Sequence, residues 1–198
     1  MIHFRLRDHV SILAYRLMGR AFAALDRGAR IVWPLRIIGA KYCAFGAHSC
    51  LQYGAYVAVL PEPGVVPVFK VGEGTQVGNH SHIIVTRRVE FGRRVLIADR
   101  FYVADNRHAY ENPEVPVRDQ GLVQLDDVHI GDGSWIGENV SVIGCRIGRH
   151  CVVAANSVVT RDVPDHCVVV GAPARIVKRY CPERRVWLRT DADGRIAA

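Results

Sequence analysis

The chain has 198 residues, 49% hydrophobic and 23% charged, so it can form one substantial core and its composition is neither disordered nor fibrous. Its formal net charge of +7 favours an anionic partner without choosing among nucleic acid, a membrane surface and a phosphorylated small molecule. The sequence contains no run of about 18 apolar residues, so we expect no helix that spans a membrane. Charged residues near the N-terminus argue against a secretory signal. The six cysteines form no CxxC pair, which favours reduced thiols in a cytoplasmic chain.

The N-terminal segment has its apolar residues at helical spacing between Leu6 and Val32. Those that share a face are Val10, Leu13, Ala14, Leu17, Met18, Ala21, Phe22 and Leu25, and arginines surround them. We therefore expect one basic amphipathic helix within residues 1–34. Two roles fit such a helix: a cap over the open end of the following domain, or a contact with an anionic membrane surface.

An apolar residue then recurs at every sixth position over most of the chain. The recurring residues are Phe45, Leu51, Val57, Val71, Val77, Ile83, Val89, Val95, Phe101, Ile130, Ile136, Val142, Ile147, Val153 and Val159. A helical or heptad pattern would drift off this spacing. The period predicts a parallel β-helix over residues 35–178, in which three hexapeptides make one triangular coil and the recurring residue points inward. Several cysteines occupy the small-residue positions of the repeat and are expected to fill its core.

Two interruptions and one short step break the period. Prolines within Pro61 to Pro67 forbid a regular inner strand, so residues 60–69 are expected to form a loop. Residues 106–125 form a longer insertion, and long loops on rigid scaffolds usually carry function. Between Val142 and Ile147 one residue is missing, which predicts a shortened corner absorbed by Gly144. Residues 179–198 are expected to form a short helix or an extended strap over the last coils.

Four features resemble the left-handed β-helix acyltransferases, and within them the sugar O-acetyltransferases of lipopolysaccharide and capsule biosynthesis. They are the repeats, DNRHAY at residues 105–110, SWIGENV at residues 134–140, and AANSVVTRDVP leading into VGAPARIVK. The resemblance implies an all-β, left-handed β-helix and a homotrimer with active sites between subunits. It also implies acetyl-CoA as co-substrate, no required metal, a saccharide or glycolipid acceptor, and a cytoplasmic location. The basic N-terminal helix adds the alternative of a peripheral position at the inner face of the membrane.

Acetyl transfer from a thioester to a sugar hydroxyl needs a base and an oxyanion donor, but neither a metal nor an enzyme nucleophile. The resemblance implies that His108 is the base, since neutral imidazole suits that task near neutral pH. Asp105 or Glu111 is expected to orient the imidazole by accepting from its other nitrogen. The backbone N–H of Glu138 is expected near the thioester oxygen.

The same resemblance implies the binding residues for both substrates. The coenzyme is expected to contact Trp135, Gly137, Gly144, Ala155, Thr160, Arg161, Arg175 and Lys178. Of these, Thr160 and Arg161 would meet the adenosine end, and Arg175 and Lys178 would attract the 3′-phosphate, so coenzyme binding should be sensitive to salt. Trp135 has the alternative of packing on the neighbouring subunit. The acceptor candidates are Ser81, His82, Asn106, Tyr110 and Gln120.

Several rival functions share this fold. The nearest are an antibiotic-inactivating O-acetyltransferase and an amino-sugar N-acetyltransferase. A zinc-dependent carbonic anhydrase would need three converging histidines, and the histidine spacing offers no convincing set. A non-catalytic β-helix scaffold is disfavoured by the DNRHAY motif. Nucleic-acid binding is disfavoured because the arginines are dispersed and not interleaved with aromatic residues.

Overall fold

The protein is described by a computed structural model that covers residues 6–191 and 194–196. Most of these residues form a left-handed parallel β-helix with three flat faces, here called A, B and C, as the sequence predicted. The helix α1 spans Leu6–Leu17, and short 3-10 helices span Gly19–Ala21, Ala40–Tyr42 and Val117–Asp119.

Each face is a ladder in which a strand of one coil pairs with the strand of the next coil, and the last two strands of face B pair antiparallel instead. Face A contains β1 (Ala24–Leu25), β4 (Cys43–Phe45), β7 (Val68–Val71), β10 (Arg88–Phe91), β15 (Val128–Ile130) and β18 (Arg146–Ile147). Face B contains β2 (Arg30–Ile31), β5 (Cys50–Leu51), β8 (Gln76–Val77), β11 (Leu96–Ile97), β16 (Trp135–Ile136), β19 (Val152–Val153), β21 (Cys167–Val170), β22 (Arg175–Cys181) and β23 (Val186–Arg189). Face C contains β3 (Arg36–Ile38), β6 (Tyr56–Val59), β9 (His82–Val85), β12 (Tyr102–Ala104), β17 (Ser141–Ile143) and β20 (Val158–Val159). The remaining strands, β13 (Asn106–His108) and β14 (Leu122–Gln124), form an antiparallel hairpin.

The recurring apolar residues fill the interior, which confirms the period. Every residue of that series is 0–1% exposed, for example Val77 and Ile136 at 0%. The interior also contains a column of phenylalanines, and the period did not predict that their rings contact one another. Phe22, Phe45, Phe69, Phe91 and Phe101 contact edge to face, with successive ring centroids 5.9, 6.0, 5.6 and 5.9 Å apart. Such pairs add to the free energy gained by burial.

The cysteines act as small core residues, as expected from the sequence. All six are free thiols, and five of them are buried. Burial raises the pKa of Cys43 and Cys145 to about 12, so both thiols stay protonated at neutral pH. A protonated thiol in the core is a weakly polar filler.

The N-terminal helix is shorter than the sequence indicated. It ends at Leu17 rather than continuing to Val32, and the segment between 24 and 31 forms the first coil of the β-helix. The reason is backbone pairing: Ala24 and Arg30 align with Ala44 and Cys50 of the next coil. That pairing buries Ile31, and the free energy gained by pairing and burial exceeds the helix preference of this segment.

The apolar stripe of α1 points away from the β-helix. The helix is held by Ser11, whose hydroxyl donates to Ile31 O at 3.2 Å and accepts from Trp33 N at 2.8 Å, and by Tyr15, which packs on Phe22. Leu13 and the rest of the stripe stay exposed, so α1 contacts the first coil through the side that carries Ser11 and Tyr15 and not through its apolar side. Within the described residues, no helix combines the length and apolar character needed to cross a membrane.

Two boundaries also differ from the sequence prediction. The first loop ends at Pro67, because β7 begins at Val68 and Phe69 is fully buried in the phenylalanine column. At the C-terminus, the strap is extended and starts earlier than residue 179. Strand β22 begins at Arg175 and pairs antiparallel with both β21 and β23.

Replacement of Phe69 by alanine tests the phenylalanine column. Removing this fully buried ring should lower the free energy of unfolding by about 3–5 kcal/mol, since a cavity opens between two neighbouring rings. Val66→Ala, on the adjacent loop and 77% exposed, should change it by less than about 0.5 kcal/mol. Chemical denaturation measures both, and equal losses in the two variants would contradict the packing account.

Candidate active site

Corners between faces carry most of the candidate residues, so each corner is defined first. Corner BC joins face B to face C and includes residues 98–101, 137–140 and 154–157. Corner CA joins face C to face A and includes residues 60–67, 105–127, 144–145 and 160–162. Strands of two to four residues hold these corners in vertical columns, so residues one coil apart become neighbours.

His108 lies on the hairpin that rises from corner CA. In this hairpin Asn106 pairs with Gln124, and His108 pairs with Leu122. The imidazole is exposed, and within the described part of the chain it forms no hydrogen bond. It is therefore free to meet a substrate or a second chain.

Glu111 does not orient His108. Its carboxylate accepts from Arg107 at 2.6 Å and from Tyr110 N at 2.9 Å, and the hydrogen bond from Arg107 lowers the pKa of Glu111. The Arg107 guanidinium also lies 4.5 Å from the centre of the Tyr110 ring. These contacts stiffen the hairpin beside His108.

Asp105 has a structural role instead of the expected contact with His108. It is fully buried, and its carboxylate accepts from Thr86 N at 2.9 Å, Arg87 N at 2.7 Å and Arg88 N at 2.7 Å. It also accepts from the Thr86 hydroxyl at 3.0 Å. The turn of the preceding coil thus occupies this carboxylate, and the prediction that Asp105 or Glu111 orients His108 is wrong for the single chain.

The anchor at the hairpin base extends beyond Asp105. Gln124 Nε2 donates to Asp105 O at 2.6 Å, and its Oε1 lies 2.9 Å from Thr86 Oγ1, whose single proton is shared between Gln124 and Asp105. Arg87 Nε donates to Asp127 at 2.5 Å, and Arg87 Nη2 donates to Leu125 O at 3.0 Å. Thr86 and Arg87 therefore set the position of the hairpin. The six-residue period did not predict this role for either residue.

The acceptor candidates divide into internal and exposed side chains. Asn106 is buried and donates to Thr86 Oγ1, Gln120 donates to two backbone carbonyls of its own loop, and Ser81 is buried and donates to Gly78 O at 2.8 Å. These three side chains are engaged inside the protein, which contradicts a direct acceptor role. Tyr110 is 63% exposed, and His82 lies exposed on face C between the rings of Tyr56 and Tyr102.

Trp135 lies on the outer surface of face B. It is 50% exposed, next to Leu96 at 52%. Going towards the C-terminus, its register partners are Val152, Val168 and then Lys178. Trp135 and Lys178 thus share one vertical column on face B.

Corner BC forms a groove of about 540 Å³ beside that column. Its lining residues are Arg100, Glu138, Asn139, Ala155 and Asn156. The Glu138 carboxylate pairs with the Arg100 guanidinium. Gly137 lies at a point of close approach, since a Cβ there would lie 2.6 Å from Ala155 N. Glu138 and Ala155, both expected at the coenzyme, are therefore brought together.

A second pocket, of about 260 Å³, lies near the C-terminal end of the β-helix. It brings Arg161 together with Arg175, over a floor that includes Val159, Val163 and Ala174. Thr160 is exposed beside it. Lys178 does not join this pair, because it belongs to the face B column.

The shortened corner forms as predicted, at Gly144. Its φ is +53°, and its N–H donates to Ala104 O at 2.9 Å. A Cβ there would lie 2.5 Å from Leu125 Cβ, so glycine is required. However, strand β17, which is about 10 Å long, separates the corner that contains Gly144 from the corner that contains Glu138. Gly144 therefore lies under the hairpin and not in the groove of the same chain.

The hexapeptide repeat described as that of succinyl-transferase matches residues 127–161. A protein of Escherichia coli strain K12 named for O-acetyl transfer in lipopolysaccharide biosynthesis, WbbJ, is 36% identical over 123 residues, which cover 58% of this chain and 62% of WbbJ. The crystal structure of AntD, an N-acyltransferase from Bacillus cereus in complex with dTDP and 3-hydroxybutyryl-CoA, superposes with a TM-score of 0.70 at 16% identity, covering 86% of this chain and 90% of AntD. Residues 127–161 thus match a hexapeptide-repeat model, and the chain shares its β-helix fold with AntD.

These similarities confirm the resemblance stated from the sequence. A Mycobacterium tuberculosis protein named as an acetyltransferase, Rv3034c, is 38% identical over 110 residues, which are 55% of this chain but 36% of that protein. The chain thus spans less than two thirds of each of these two relatives. At 16% identity the likeness to AntD is one of fold.

On this fold, the candidate residues form two groups on different sides of the β-helix. One group, here called the B side, contains Trp135, Gly137, Glu138, Ala155 and Lys178. The other, here called the CA side, contains His108, Gly144, Thr160, Arg161 and Arg175. Among residues 6–191 and 194–196, no three histidine, cysteine, aspartate or glutamate side chains are grouped as metal ligands would be.

Replacement of Asp105 by asparagine tests the hairpin anchor. The amide would place a donor against backbone donors, so the free energy of unfolding should fall by about 1–3 kcal/mol and limited proteolysis within 106–124 should accelerate. Asp126→Asn, at an exposed position of the same corner CA, is the matched control and should change neither. An unchanged proteolysis rate in Asp105→Asn would show that Asp105 does not hold the hairpin.

Proposed function

We propose that the protein is an acetyl-CoA-dependent O-acetyltransferase that acts on a saccharide or glycolipid hydroxyl in the synthesis of a surface polysaccharide or lipopolysaccharide. The observation that carries this proposal is the division of the candidate residues into two groups, one with an exposed imidazole and one with a groove of about 540 Å³. The relative named for O-acetyl transfer supports transfer to oxygen.

The groove at corner BC suits the arm of the coenzyme. Ala155 presents only a methyl group there, so a linear chain can pass, and Trp135 offers an apolar ring on the adjoining face. Lys178, at the end of the Trp135 column, supplies one cation. Arg161 and Arg175 supply a second cationic site, and guanidinium groups suit phosphate because of their forked donors.

The proposed chemistry assigns one task to each of two residues. His108 accepts the proton of the acceptor hydroxyl while the oxygen attacks the thioester carbonyl carbon. The backbone N–H of Glu138 donates to the oxyanion of the tetrahedral intermediate. When the carbon–sulfur bond breaks, the leaving thiolate takes the proton back from His108, so the enzyme returns to its starting state.

We further propose a homotrimer in which each active site lies between two chains. The CA side of one chain would meet the B side of its neighbour, because each chain carries the two groups on separate corners. The half-exposed Leu96 and Trp135 on face B fit an interface of this kind. A contact across this interface would also supply the orienting group that His108 lacks within the described part of its own chain.

Replacement of His108 by alanine tests the proposed chemistry. Thiol release from acetyl-CoA should fall about 10² to 10⁴-fold with an active acceptor, because the variant lacks the base. His129→Ala, a half-exposed histidine on face A, is the control and should keep near-normal turnover. The acceptor panel should contain nucleotide sugars, lipid-linked saccharides, xenobiotic alcohols and amino sugars. Near-normal turnover of His108→Ala would contradict the base assignment, and transfer only to amines would identify an N-acetyltransferase.

A further inference from the structure

The N-terminal helix carries a continuous apolar stripe that the protein itself does not cover. Leu6, Val10, Leu13 and Leu17 are 85%, 57%, 59% and 81% exposed. Their spacing of four, three and four residues places them on one side of α1. Ser11 and Tyr15, which hold the helix to the first coil, lie on the opposite side. We call these four leucine and valine residues the α1 stripe.

Aromatic and aliphatic residues of the first coil enlarge this apolar surface. Trp33 is 43% exposed and Leu35 is 75% exposed. Trp33 is tied to the helix, since its Nε1 donates to Arg7 O at 3.0 Å. An exposed tryptophan beside aliphatic residues is typical of surfaces at a membrane interface, where an apolar body and a polar ring nitrogen are both accommodated.

The exposed charged residues around the α1 stripe are basic. Asp8 is the acidic residue of α1, but its side chain is only 13% exposed and it pairs with Arg7 at 3.5 Å. Arg16 and Arg20 are exposed beside the stripe. The outward surface therefore combines apolar side chains with positive charge, in a chain whose formal net charge is +7.

We propose that the α1 stripe is a docking surface for an anionic phospholipid bilayer. Basic residues next to a buried apolar face favour anionic lipid over a neutral surface. A second copy of the helix is a poorer occupant, because α1 has 12 described residues and a coiled coil needs about three to four heptads. This proposal is independent of acyl transfer, since lipid binding requires no substrate.

Docking in this orientation would bring a pocket of the first coils close to the bilayer. This pocket, of about 500 Å³, is lined by Arg7, Trp33, Pro34, Leu35, Tyr53, Gly54 and His80. It lies on corner BC, the same corner as the groove with Glu138 and Ala155. If the proposed function holds, the surface would present corner BC to an acceptor that is anchored in the membrane.

Vesicle binding tests the docking surface on the full-length chain. Cosedimentation with phosphatidylcholine vesicles that contain phosphatidylglycerol should show binding that weakens as salt is raised. The double variant Leu13→Gln and Leu17→Gln should bind at least about tenfold more weakly, because two exposed leucines no longer enter the lipid. Glutamine keeps helix propensity, so α1 should remain folded, and circular dichroism checks this.

Two further variants separate charge from apolar burial. The double variant Arg16→Gln and Arg20→Gln should lose about fivefold in binding per arginine on anionic vesicles and show a weaker salt dependence. Val186→Thr, an exposed apolar residue of β23 at the opposite end of the β-helix, should bind like the wild type. Wild-type protein that fails to bind anionic vesicles at low salt, or stripe variants that bind like the wild type, would overturn the proposal. The proposal would also be overturned if the wild type bound no vesicles and the stripe variants changed its oligomeric state.

Discussion

Backbone pairing between successive coils is the constraint on which the rest of the structure depends. Each strand is only two to four residues long on most rungs, so no strand is stable without the strand above and below it. The inward residue of each hexapeptide supplies the apolar contact that holds the rungs in register. Because the corners lie outside this column, they can carry insertions, and both long interruptions and the shortened step at Gly144 fall on corner CA.

The repeat could be predicted from the sequence because its signal is redundant, whereas single local features could not. A residue such as Val77 belongs to a series in which each neighbour confirms the spacing, and all are buried. The first coil was missed because Phe22 and Leu25 fit a helical face as well as a strand. The direction of the α1 stripe was missed because one buried serine, Ser11, decides which side of the helix faces the protein, and an apolar pattern does not reveal that.

The sequence motifs identified residues of the candidate site, but they did not reveal which contacts these residues make. Gly137, Glu138 and Ala155 meet at one groove, as their motifs indicated. Asp105 belongs to the same motif as His108 yet serves the hairpin anchor, because its carboxylate meets three backbone N–H groups of the preceding coil. Contacts of that kind join residues about 20 positions apart through coil stacking, so they are invisible along the chain.

The central claim is that two chains complete each active site, and mixed trimers of two inactive variants test it most directly. One variant is His108→Ala, which removes the proposed base from the CA side, and the other is Ala155→Trp, which blocks the groove on the B side. Each parent must first be shown to be folded and of wild-type oligomeric state. After unfolding and joint refolding in equal amounts, about a quarter of the interfaces should combine two intact halves, so activity should return to about a quarter of the wild-type level. Activity that stays at the level of the separate variants would contradict a site shared between chains.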